Sequence, residues 1–211
     1  MYLTRIALDT RKRETMRALC SVNMIHGAIE SSFPGERRRR LWRIDVLNGV
    51  TWLLLYSETE PDLTGLQAQF GVPGRPWETK SCDALLARIA NGTRWRFRLV
   101  ANPTRSEPSG TKDKRGKVVA EGSVPAQREW LVRHAEPNGF ALQSGSFDVV
   151  RSEWKQFRKR RENGRTVSVL QATYEGILEV QDAERFREVL FQGIGRGKAY
   201  GMGMMTVMRC E

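Results

Sequence analysis

Three cysteines and two histidines are all that 211 residues offer for thiol or imidazole chemistry. Cys20, Cys82 and Cys210 stand far apart with no CxxC spacing, and only His26 and His134 are available to join them as ligands. That scarcity argues against a zinc site or a disulfide framework, so the expected metal and cofactor complement is none. Also missing is any apolar run of roughly eighteen residues, which leaves no candidate membrane span. The opening MYLTRIALDT lacks the charged-then-apolar profile of a signal peptide, and the expected location is the cytoplasm, with no membrane partner.

What the chain has in excess is positive charge. Lysine and arginine number 35 against 24 acidic residues, a net +11 with an isoelectric point near 10.1. Most of the surplus is arginine, whose planar fork pairs with phosphate oxygens and stacks on bases. A nucleic acid is the leading partner class, and an anionic membrane surface is the weaker rival. With 40% apolar residues, the chain has length enough for one large core or two small ones.

Hydrophobic periodicity predicts a strand over residues 1–8, a helix from about Arg11 to Ser32, and two strands over 41–47 and 50–56 joined at Asn48-Gly49, a strong hairpin signal. A short helix over 82–90 and a strand over 94–100 then complete a β-α-β-β-α-β order. The expected architecture is α+β, two tandem ferredoxin-like (RRM-like) domains. The first would span 1–101, a polar linker 102–124, and the second 125–211. Between the long strands of the second half lies RSEWKQFRKRRENGR, with seven basic residues against two acidic ones. This segment reads as a basic hairpin whose Lys155, Arg158, Lys159, Arg160 and Arg161 would contact phosphates, with Trp154 and Phe157 interleaving aromatic surface. Trp42, Trp52 and Trp95, in predicted strands, read as core.

His26 falls beside a stripe of Leu19, Val22, Ile25 and Ile29, roughly 50° from its centre at about 100° per residue. On the residues alone, a packed core histidine comes slightly ahead of a catalytic one. His134 ends a helix before Pro137-Asn138-Gly139, where complementing the helix C-terminus explains it. The segment Gly193-Ile194-Gly195-Arg196-Gly197-Lys198-Ala199-Tyr200-Gly201-Met202-Gly203 has five glycines among eleven residues. Such a loop can turn backbone N–H groups toward an anion, with Arg196 and Lys198 adding charge. It runs from helix into strand, and no GKS or GKT triplet occurs, so it suits a phosphate backbone better than a mononucleotide. A glycine-rich turn at a crowded junction is the competing reading.

Several of these segments together resemble the CasE family of CRISPR RNA-processing endoribonucleases from type I-E systems. They are MYLTRIALD at the start, the helix histidine followed by Phe33-Pro34, FRLVANPT at 97–104, YEGILEV at 174–180 and QGIGRGKAYGMGMM at 192–205. Gly193, Gly195, Gly201 and Gly203 match the family's G-x-G-x5-G-x-G loop. The resemblance implies two tandem ferredoxin-like domains, cleavage of precursor RNA beside a CRISPR repeat hairpin, and retention of the mature guide RNA with other Cascade subunits. It maps the family's catalytic histidine onto His26. The implied chemistry is metal-independent attack of a ribose 2′-hydroxyl on the adjacent phosphate, giving a 2′,3′-cyclic phosphate and a 5′-hydroxyl. Asn23 stands where characterised relatives often carry tyrosine, and would orient the phosphate or stabilise negative charge without titrating. The alternative is a non-catalytic RNA-binding scaffold subunit of the same fold, with His26 packed in its core. A different RNA-processing or RNA-modifying enzyme is disfavoured because no cofactor motif is present.

Overall fold

The computed structural model describes residues 1–33, 40–108, 116–158 and 166–210, the side chain of Arg158 excepted. Within them, β1 (Tyr2–Leu8) pairs antiparallel with β3 (Val50–Ser57) on one side and β4 (Glu78–Ser81) on the other, and β2 (Trp42–Leu47) pairs with β3. The resulting order is β2-β3-β1-β4. Asn48 and Gly49 both take positive φ, 51° and 75°, the geometry that makes Asn-Gly a tight hairpin turn.

The helix expected from Arg11 to Ser32 is two helices. They are α1 (Arg13–Cys20) and α2 (Val22–Ser31), broken at Ser21, whose φ and ψ are −130° and 79°. The Ser21 amide closes α1 onto the Arg17 and Ala18 carbonyls, and its own carbonyl accepts from Met24 to open α2; serine favours helix ends over interiors. Ala18, Ile25 and Ile29 from this pair pack with Ile6, Leu8, Leu53 and Leu55 of the sheet and with Leu63, Leu66 and Phe70. The last two belong to α3 (Thr64–Phe70), a helix not expected from the sequence. Asp62 helps to start it, accepting from both the Thr64 amide and its hydroxyl.

Because α3 and β4 complete the first β-α-β-β-α-β set, α4 (Asp83–Ala87) is an addition to it. The strand over 94–100, expected to close the first domain, instead opens the second. This β5 (Arg94–Ala101) is central there. Nor is 102–124 simply a linker, since β6 (Thr104–Glu107) and β7 (Lys117–Ala120) pair within it as a small hairpin. Then follow α5 (Val124–Ala135), β8 (Phe140–Ala141), β9 (Phe147–Arg158), β10 (Thr166–Val180), α6 (Ala183–Gln192) and β11 (Met205–Arg209). The sheet order is β11-β5-β10-β8, with β9 also paired to β10. Leaving out β6, β7 and β8, the second set repeats the first: β5-α5-β9-β10-α6-β11.

Two compact units result. The first comprises Met1–Arg88 with Phe157–Val167 and Lys198–Gly201, and the second comprises Ile89–Gln156, Ser168–Gly197 and Met202–Glu211. In the second, Trp95, Phe97 and Leu99 face inward with Trp130, Tyr174, Leu178 and Phe186, all buried. As expected, Trp42, Trp52 and Trp95 are core residues. Among the described residues, no helix is long and apolar enough to cross a membrane.

Candidate active site and RNA-contact surfaces

α2 presents its apolar edge inward through Ile25 and Ile29, both fully buried, and that rotation leaves His26 half-buried beside them. His26 Nδ1 is shielded from solvent and meets no hydrogen-bond partner among the described residues. Asn23, also half-buried, lies three residues earlier and so shares a helix face with His26. One turn after His26, Glu30 forms an ion pair with Arg40 at 3.8 Å. The Arg40 guanidinium also lies 3.9 Å from the centre of the Phe33 ring. Neither Arg40 nor Glu30 carried a signal in the sequence, because the pairing crosses ten positions without a motif.

The glycine-rich segment begins where α6 ends, at Gly193, and Lys198–Tyr200 forms a short 3-10 turn. This turn belongs to the first unit and packs against α2, so Lys198 and Tyr200 join the helix that carries His26 and Asn23. Two glycines explain how the chain gets there. A Cβ at Gly201 would come within 2.8 Å of the Trp42 ring, and its φ is +76°. In the second unit, a Cβ at Gly195 would come within 2.9 Å of Trp130, also at φ +76°. Close approach to two buried indoles therefore demands glycine at both positions. Gly203 donates its amide to the Val100 carbonyl and accepts from Ile194, while Arg196 is exposed and its backbone bridges to Asn102. The loop is thus both a crowded junction and a presenter of charge.

Phe157, expected as aromatic surface, is 6% exposed and packs against Tyr200 with the rings tilted at 54° and their centroids 4.6 Å apart. Within the first unit this contact ties the end of the basic arm to the turn against α2. Trp154, by contrast, is 57% exposed. In the second unit, Lys155 is exposed and pairs with Glu153 at 2.8 Å, as does Arg151. Burial pushes the Glu153 carboxyl up, but the hydrogen bonds and charges of Lys155 and Arg151 outweigh it and hold the group below its usual range. Arg158 ends β9, and its side chain, with Lys159, Arg160 and Arg161, lies outside the described residues.

His134 sits in the last turn of α5, where its Nδ1 donates to the Trp130 carbonyl at 2.8 Å and its ring stacks on Trp130 at 4.2 Å. That is a packing role. No group of three or more His, Cys, Asp or Glu is placed to hold a metal among the described residues.

Comparison with known proteins places this geometry among relatives. The model of a family described as CRISPR associated protein matches residues 1–209. The CRISPR-associated endoribonuclease Cse3 of Thermus thermophilus is 29% identical over 222 residues, covering 98% of this chain and 99% of that protein. A solved structure of CRISPR endoribonuclease Cse3 bound to a 19-nucleotide RNA superimposes with a TM-score of 0.84 at 28% identity, covering 99% and 100% of the two chains. Thermus thermophilus Cse3 bound to an RNA representing a pre-cleavage complex gives 0.78 at 28% identity, covering 98% of each.

Proposed function

Because the chain belongs to the CRISPR-associated protein family, we propose that it is a metal-independent endoribonuclease acting on precursor CRISPR RNA at the repeat hairpin. It then holds the mature guide RNA as a Cascade subunit in the cytoplasm. The observation that carries the reading is the packing of the Lys198–Tyr200 turn against α2, which brings a lysine from the glycine-rich loop to the helix of His26 and Asn23.

The chemistry needs a base for the 2′-hydroxyl proton, an acid for the departing 5′-oxygen and a cation or dipole for the phosphate. As the 2′-oxygen bonds to phosphorus, the P–O5′ bond breaks, leaving a 2′,3′-cyclic phosphate and a 5′-hydroxyl. Imidazole titrates near neutral pH and serves either proton transfer. With Nδ1 shielded, Nε2 is the nitrogen of His26 that meets the RNA. Lys198 supplies positive charge, and the Asn23 amide hydrogen-bonds without titrating. Alignment of the 2′-oxygen comes from the bound RNA conformation, a proximity effect. The basic arm with Lys155, Arg158, Lys159, Arg160 and Arg161, and Arg196 on the loop that Gly193, Gly195, Gly201 and Gly203 shape, hold the hairpin through phosphates.

The test is denaturing-gel cleavage of the cognate repeat RNA in EDTA by the natural protein and by His26→Ala, with binding of each measured in parallel. Cutting at one position by the natural protein, with the variant bound but inactive, is the expected result. Tight binding by both with no cutting establishes the scaffold alternative instead.

A further inference from the structure

β5 alternates from Arg94 to Leu99. Trp95, Phe97 and Leu99 are buried in the second unit, so Arg94, Arg96 and Arg98 form a row on the opposite face, with Arg94 and Arg96 exposed. Neighbours in such a row stand about 6.8 Å apart, comparable with the separation of successive phosphates on an extended nucleic-acid strand. Arg98 is engaged by Glu175 of β10. Arg94 and Arg96 have no ion pair or side-chain hydrogen bond with any described residue. Glu179, paired in register with Arg94, instead accepts the Gln181 amide at 3.0 Å.

Either side of Arg96, the registers place Ile177 on β10 and Met208 on β11, and Met208 is 63% exposed. Arg209 and Cys210 close the end of a concavity of about 570 Å³, lined by Arg94, Arg96, Ile177, Met208, Arg209 and Cys210. The guanidinium groups of Arg94 and Arg96, an apolar floor and no carboxylate among the lining residues make a surface complementary to an anion with flat apolar faces. The concavity crosses three strands of an open sheet, a shape suited to splayed single-stranded RNA rather than to a duplex. Guanidinium planes both pair with phosphate and stack on bases, so the face needs no aromatic platform.

We propose that this face of the second unit holds a single-stranded segment flanking the RNA hairpin, its phosphates on Arg94 and Arg96 and its bases over Met208 and Ile177. The proposal rests on the RNA-processing reading above and uses none of the residues assigned there.

Fluorescence anisotropy tests it with two probes: the repeat hairpin alone, and the same hairpin carrying a short oligouridylate extension at its 5′ or its 3′ end. For the natural protein, one extension should tighten binding on the order of tenfold and steepen the slope of log K against log salt by about 1.4, for two single-strand phosphates. The Arg94→Glu/Arg96→Glu variant should bind the bare hairpin as before and lose the whole of that gain, while Arg94→Lys/Arg96→Lys keeps part of it. A natural protein that gains nothing from either extension overturns the proposal. So does a Glu variant that weakens on both probes equally, or one that keeps the full gain, even if it then fails to join its protein partners. Failure of the natural protein to bind the bare hairpin sinks the RNA-processing reading itself, and this proposal with it.

Discussion

Gly201 lies against the indole of Trp42, with ring atoms 2.8 to 3.1 Å from where a Cβ would stand. Trp42 is 1% exposed and belongs to the same core cluster as Ile25 and Ile29 of α2, so it cannot retreat without disturbing the helix that carries His26. A positive φ at Gly201 adds backbone strain for any other residue. Gly201→Ala should therefore cost about 2–4 kcal/mol of stability, combining left-handed strain with overpacking, and should lower cleavage by shifting the Lys198–Tyr200 turn. Gly27→Ala is the contrast, because Gly27 lies inside α2 with nothing within 4 Å of its Cβ position. There alanine should add roughly 0.5–1 kcal/mol through helix propensity. Urea denaturation of both variants decides the matter, and equal shifts would contradict it.

Arg43 and Asp45 form a different kind of close relationship on β2. Their side chains are both 2% exposed and pair at 2.7 Å, with the Arg43 Nε also donating to both carboxylate oxygens at 3.0 Å. Removing one partner strands a buried charge. Asp45→Asn should accordingly destabilise by about 3–5 kcal/mol, whereas the double change Arg43→Met/Asp45→Leu should cost much less. The order of the two midpoints in denaturant is the measurement. A double variant no more stable than Asp45→Asn would show that the pair itself, rather than the stranded charge, sets the cost.

The first three strands and the Asn48-Gly49 turn were legible because alternation and turn chemistry are local, whereas the four-residue β4 was not. Assignment of β5 was not legible. Its Trp95-Phe97-Leu99 stripe fits the inner face of either sheet, and only the missed α3 and β4 free it for the second. That helix spans seven residues, with a glycine and two buried apolar positions, Leu66 and Phe70, too little for periodicity to show. In the loop, five glycines signalled close approach, but nothing local named Trp42 and Trp130 as what is approached. Phe157 reads as arm surface until its pairing with Tyr200, forty-three positions away, is seen.

Glu153 neutralises part of the basic arm by holding both Arg151 and Lys155. Glu153→Gln should free both cations and tighten RNA binding by up to about fivefold, the scale of an exposed pair. The pH dependence has a definite sign. The folded carboxyl is held below its ordinary value, so its contribution to stability is present above the unfolded pKa and fades as pH falls through the folded one. On acidification the natural protein should therefore approach the variant's affinity, and a gap between them that widens toward low pH would refute the assignment.

Asn23 and His26 make separable predictions because an amide hydrogen-bonds but does not titrate. Both are half-buried on one face of α2. If Asn23 orients the phosphate or stabilises its developing charge, Asn23→Ala should slow single-turnover cleavage on the order of 10²-fold, the effect of losing one such donor. The shape of the rate–pH profile should not change, since no titrating group has gone. His26→Ala should instead abolish cleavage, with hairpin binding retained. Loss of a limb of the profile in Asn23→Ala would show that the residue sets a proton-transfer group rather than the phosphate. An unchanged rate would remove Asn23 from the site altogether and leave Lys198, on the turn packed against α2, as the group that meets the phosphate charge.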